Sequence, residues 1–193
     1  MINRELYMEQ ITPFIDKPFV KVITGIRRCG KSVVLRLIRE ELLRRGVSED
    51  HIIYMNFESF EWMDVKEAKA LYTYIREVTK VSGKYYILLD EIQEVTDWEK
   101  AVNAFLVDLD ADIYVTGSNS RLLSSEFSTY LAGRYVAFHI MTLSFREYLL
   151  FHNVPLAISA SDRKAEFLKY LRMGGFPAIH TANYDYNAIY KIV

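Results

Sequence analysis

Residues 23–38 read Ile-Thr-Gly-Ile-Arg-Arg-Cys-Gly-Lys-Ser-Val-Val-Leu-Arg-Leu-Ile. An apolar run halts at Gly25, and Arg27, Arg28 and Cys29 lie in a segment closed by Gly30. Beyond it Val34, Leu35, Ile38 and Leu42 recur at helical spacing. The stretch predicts a strand, a glycine-bounded loop and an amphipathic helix. Residues 25–32 satisfy G-x-x-x-x-G-K-[ST], which average residue usage produces by chance in roughly one chain in a hundred of this length. In such a loop backbone N–H groups surround phosphates and the following helix points its positive end at them. Gly25 and Gly30 permit unusual dihedrals, Lys31 reaches the β- and γ-phosphates, and Ser32 offers a hydroxyl to Mg²⁺. Gly25, Ile26, Arg27, Arg28, Cys29, Gly30, Lys31, Ser32 and Val33 are the candidate phosphate-binding residues.

Outward from this loop, short β-rich apolar runs alternate with helical patterns, the mark of βαβ units and a parallel sheet. Strands are expected over 19–24, 51–57, 84–90, 112–116 and 135–141. Helices are expected around Leu71, Ile75 and Val78, and around Trp98, Val102 and Phe105. The run Tyr85-Tyr86-Ile87-Leu88-Leu89 exits into Asp90-Glu91. Those carboxylates stand where a strand exit would hold the water shell of Mg²⁺ through Asp90 and orient or deprotonate an attacking water through Glu91. No glycine follows Asp90 closely and no Asn/Thr-Lys-x-Asp base reader occurs, so ATP is favoured over GTP.

The chain has 193 residues, 51% of them hydrophobic and 25% charged, enough for one good core. A net charge of −1 provides no bulk basic field, so DNA binding would need a local patch. One cysteine, the lack of a signal peptide and the lack of a membrane-length apolar run lead us to expect a reducing, cytoplasmic setting without membrane contact. Thr96–Glu99 and Ser144–Glu147 have capping-box spacing and mark helix starts. From Leu143 the pattern is helical, broken at Gly174-Gly175-Phe176-Pro177. Residues 183–193 begin an aromatic helical pattern without a C-cap, so a longer protein is expected. His51, His139, His152 and His180 have no metal-site spacing.

Together these residues resemble the AAA-type P-loop ATPases, in particular a poorly characterised bacterial and archaeal family in which the ATPase precedes a C-terminal domain of unknown function. The resemblance runs through the loop, Tyr54-Met55-Asn56-Phe57-Glu58, Leu89-Asp90-Glu91-Ile92-Gln93 with Trp98, Thr116-Gly117-Ser118, Gly133-Arg134, the segment from Leu143 to Leu149, and Gly174-Gly175-Phe176-Pro177. Thr142 stands where the family usually has proline. The resemblance implies an α/β P-loop NTPase fold, a three-layer α/β/α sandwich on a parallel five-stranded sheet of order 5-1-4-3-2. It implies an ATPase core over 1–142, then a helical lid and the start of a linker over 143–193.

By the same resemblance Asn56 would hydrogen-bond Glu91, against the alternative of a strand-end asparagine starting a turn. Either Ser118 or Asn119 would stand beside the attacking water as a sensor. Arg134 would be a γ-phosphate sensor or an arginine finger, acting in cis or in trans. Arg27 and Arg28 would project over the rim of the site. The leading expectation is a Mg²⁺-dependent ATPase, catalysed through Glu91, Lys31 and Arg134, whose output passes to a protein partner, a further copy or a C-terminal domain. Two alternatives stay open. One is a small-molecule kinase with Arg163, Lys164 and Arg172 in its lid; the other is a DNA-binding module using Arg36, Arg39, Arg44 and Arg45.

Overall fold

In the computed structural model, which describes residues 4–117 and 131–181, the five expected apolar runs are strands. They are β1 (Val20–Thr24), β2 (Ile52–Asn56), β3 (Tyr85–Asp90), β4 (Ala111–Gly117) and β5 (Tyr135–His139). All pair in parallel, in the order β2-β3-β4-β1-β5, which is the expected order read from the opposite edge. The helices are α1 (Glu5–Ile11), α2 (Lys31–Arg44), α3 (Ala68–Val78), α4 (Trp98–Asp108), α5 (Phe145–Phe151), α6 (Ala160–Met173) and α7 (Pro177–Thr181). Among the described residues no helix is long and apolar enough to cross a membrane.

Side chains alternate across a strand, so each buried strand feeds two cores. Ile23, Leu88, Tyr114 and Phe138 pack with Val34, Leu35, Ile38 and Leu42 of α2 and with Tyr7 and Ile11 of α1. Val20, Val22, Ile87, Leu89, Ile113 and Val115 face the other way, against Leu71 and Ile75 of α3 and Trp98, Val102 and Phe105 of α4. The result is the three-layer sandwich, with the glycine-bounded loop at the carboxyl end of β1, an interior strand.

The other end of the sheet holds a buried charge. Lys21 forms an ion pair with Asp112, both out of solvent, and Asp112 Oδ2 also accepts from the Asp16 N–H and the Tyr114 hydroxyl at 2.8 Å each. Those extra donors offset the cost of desolvating the pair.

The capping expectations divide. Ser144 caps α5 as expected: its Oγ accepts from Glu147 N at 3.3 Å, and Glu147 Oε2 accepts from Ser144 N at 2.8 Å. Thr96 caps nothing. Its backbone bridges to Glu67, accepting from Ala68 N and donating to Lys66 O, and α4 starts after Asp97 in a left-handed conformation (φ 57°).

Beyond β5, Leu143 N donates to Gly175 O at 2.7 Å. A Cβ on Gly175 would lie 2.6 Å from Leu143 O and 2.9 Å from Thr142 Oγ1, so the glycine permits this close approach. His152 and His180, which sequence spacing leaves apart, meet with Nε2 and Nδ1 3.0 Å apart.

Candidate phosphate-binding site

Gly25 turns the chain out of β1 at φ 153°, and a Cβ there would stand 2.3 Å from Ile140 O and 2.7 Å from Cys29 Sγ. Only glycine fits both the dihedral and the space. Arg28 (φ 66°) and Gly30 (φ 106°) complete the curl, after which α2 begins at Lys31 with Ser32 and Val33 in its first turn. Cys29 is fully buried in the α2-side core, where burial pushes its thiol pKa up. Ile26 and Arg27 point outward: Ile26 is half exposed, and Arg27 forms an exposed ion pair with Glu58 at 3.1 Å.

Lys31 is buried, with Nζ 3.3 Å from Gly25 O, 3.4 Å from Ile26 O and 3.1 Å from Glu91 Oε1. Loop and β3 exit therefore meet at one ammonium. Asp90, wholly buried, accepts from the Thr116 hydroxyl and, at 3.0 Å, from the Tyr54 hydroxyl. Burial and the Asp90 charge push Tyr54 up to about 12, which keeps it a donor. Thr116 Oγ1 also accepts from Glu91 N at 2.9 Å, so one hydroxyl holds both exit residues. Glu91 sits in a left-handed conformation (φ 54°), and its Oε2 accepts from Gln93 Nε2 at 2.6 Å.

Two open expectations are narrowed here. Asn56 does not hold Glu91: its Oδ1 accepts from Glu58 N at 3.0 Å, closing a turn at the end of β2, and Gln93 is the amide on Glu91. A local side-chain-to-backbone bond two residues away wins over the cross-strand one. Arg134 is not at this chain's own loop. It precedes Tyr135, which pairs with Val20, whereas the loop follows Thr24, paired with His139. Four residues of strand, about 13 Å, separate the two levels. Arg134 Nη1 instead bonds Asn103 Oδ1 at 3.1 Å. Ser118 and Asn119 lie outside the described residues.

Sequence reading missed Arg4, which is buried beside the loop, and Gln93. The proposed basic strip is partly paired with acid: Arg39 pairs with Glu49, while Arg44 and Arg45 share Glu41. Arg163 of α6 donates to Leu156 O at 2.7 Å.

Residues 17–149 match the model of a family described as AAA domain. The chain belongs to this AAA domain family. An uncharacterized protein of Haemophilus influenzae is 45% identical to this AAA domain over 184 residues, covering 95% of this chain and 46% of its own length. Another, from Methanocaldococcus jannaschii, is 35% identical over 184 residues, covering 93% of this chain and 39% of its own length. The chain thus spans less than half the length of these curated relatives. Among solved structures, DnaA from Aquifex aeolicus with AMPPCP bound is similar in fold, at TM-score 0.58 and 14% identity over 94% of this chain and 60% of that one. Cdc6p from Pyrobaculum aerophilum aligns at TM-score 0.53 and 12% identity, over 79% of this chain and 50% of that one. The fold of this AAA domain is therefore that of a P-loop ATPase.

Proposed function

We propose that this AAA domain binds Mg·ATP in the loop of residues 25–33 and hydrolyses it as a molecular switch. The observation that carries this reading is the convergence of Lys31, Asp90 and Glu91. A buried ammonium and a carboxylate meet at the mouth of a glycine-bounded loop, Lys31 and Glu91 3.1 Å apart, and the Thr116 hydroxyl ties Glu91 N to the buried Asp90 carboxylate. Ser32 and Asp90 supply the hard oxygen ligands that Mg²⁺ takes, directly or through water. When bound, the cation neutralises charge on the β- and γ-phosphates. Glu91, steadied by Gln93, accepts the proton of the attacking water. Lys31 holds the γ-phosphate, and Ser118 or Asn119 reads it.

The sheet and the helices packed on it, up to β5, serve as the ATPase core, and α5 to α7 as a helical lid. Arg134, about 13 Å of strand from its own loop, serves the site of a neighbouring copy as an arginine finger. Output passes to a protein partner or to the further length that the relatives carry. The AMPPCP in the DnaA neighbour supports an adenine nucleotide as ligand.

Calorimetry with Mg·ATP on Lys31→Ala tests the reading. Binding should be lost, because the substitution removes the cationic side chain aimed at the phosphates from a loop that otherwise offers backbone N–H groups. Unchanged affinity would overturn the assignment of the loop.

A further inference from the structure

Arg4 is 2% exposed and reaches four elements at once. Its Nη1 donates to Cys29 O at 2.9 Å, its Nη2 to Met141 O at 2.9 Å and its Nε to Glu147 Oε1 at 2.6 Å, while the guanidinium lies 4.7 Å from the centroid of the Tyr7 ring. Glu147 is itself fixed, since its other oxygen closes the cap of α5 on Ser144 N and Oγ. We infer that Arg4 is a positioning residue for the phosphate loop, and that Glu147 of α5 holds it to that task.

The peptide between Cys29 and Gly30 links Arg4 to the N–H groups of the loop. It is trans and planar, so its C=O and N–H point in opposite directions. Drawing the Cys29 carbonyl toward Arg4 therefore turns the Gly30 N–H away from Arg4. Gly30, at φ 106° and without a Cβ, imposes little resistance to rotation of that peptide. A loop that binds phosphate through N–H groups needs this plane fixed, and Arg4 is the group on the Cys29 oxygen. The approach is close: a Cβ on Gly30 would stand 3.2 Å from Arg4 Nη1. Lysine cannot replace the guanidinium, because a single ammonium has no rigid fork to span two carbonyls and a carboxylate. Since the same guanidinium holds Met141 O and Glu147, a displacement of α5 is transmitted to the loop.

This inference deepens the ATP-binding reading and rests on it for the ligand. The test is Mg·ATP affinity, together with amide hydrogen exchange across residues 25–33, for the wild-type chain, Arg4→Lys and Glu147→Gln, at a temperature where thermal melts show each folded. Arg4→Lys should weaken Mg·ATP by about tenfold or more, the scale of a lost charged hydrogen bond, and should speed exchange in the loop. Glu147→Gln keeps the guanidinium and both carbonyl contacts, so it should move both readouts the same way by a smaller factor. It also carries the test if Arg4→Lys does not fold. A merely structural Arg4 would lower the melting temperature and leave both readouts at wild-type values in the folded variants, and that result would overturn the inference. Failure of the wild type to bind Mg·ATP would instead remove the ATP reading, and loop exchange alone would then decide the role of Arg4.

Discussion

Lys31 and Glu91 hold one another across the mouth of the loop, Nζ to Oε1 at 3.1 Å, with the side chains 3% and 13% exposed. A phosphate entering the cradle must compete with this carboxylate for the ammonium. Glu91→Gln removes the competitor and the base together. Mg·ATP should bind roughly three- to tenfold more tightly, the return of about a kcal/mol of ion pairing, while single-turnover hydrolysis falls about 10²- to 10⁴-fold. The two effects are separable by calorimetry and quench-flow, and full hydrolysis by the variant would remove Glu91 from the mechanism.

Thr116→Val should damage fold and metal response together. The hydroxyl both donates to Asp90 and accepts from Glu91 N, and valine of the same shape leaves those buried partners unmet at about 1–3 kcal/mol. Thr116→Ser keeps the hydroxyl and should restore most of the loss. Urea melts measure the first effect and Mg²⁺ titration of ATP binding the second; a valine variant equal to wild type in both would show that the shared hydroxyl is idle.

Cys29 lies in the loop yet faces the core, fully buried with its thiol pKa raised. Maleimide reacts with thiolate and needs access. At neutral pH the native chain should label on the order of 10²-fold more slowly than the urea-unfolded chain, since reaction must await local opening. Mg·ATP should slow it further. Rapid labelling of the folded protein would contradict this packing of the loop.

Acid should loosen the C-terminal helices through His180. Burial holds its pKa below 6.5, the adjacent His152 works in the same direction, and Gly174 O, accepting from Nε2, opposes both. The Tyr148 ring packs on both histidines, and Glu166, hydrogen-bonded to Tyr148, lies near His152. Because the folded pKa is depressed, the unfolded chain takes up the proton first as pH falls. The stabilisation is therefore complete above about 6.5 and is lost below it. Melting temperatures from pH 7.5 to 5 should fall, and less steeply in His180→Gln. Parallel curves for the two proteins would exclude His180 as the source.

The sheet and its loop were legible because they are written locally: alternation in the strands, helical spacing in α2, and glycines at both bends of the cradle. Lys31, Asp90 and Glu91 could be placed together because one strand exit and one loop carry them. Arg4 could not, since its polar partners stand 25, 137 and 143 residues away and no periodicity links them. Thr96 misleads for the opposite reason, and of the two readings that Asn56 allows the turn is the one formed. Each has the residue type and spacing for its expected bond, but nearby backbone groups, at Glu58 and at Lys66 to Ala68, engage the groups concerned. Gln93 went unassigned because its partner depends on the left-handed turn at Glu91.

The position of β1 sets a timetable for synthesis. Among the described strands it is the first to be made, and it is enclosed on both sides, by β4 and by β5. Its loop is complete as sequence at Ser32, yet the carboxylate that anchors Arg4 is Glu147, 115 residues later (147 − 32). At about 5–20 residues per second, translation leaves roughly 6–23 s between the two. Until β4 and then β5 have been made, the nascent Val20–Thr24 segment is an apolar strand without its neighbours, and Arg4 gains its carboxylate partner only near the end of the domain's synthesis.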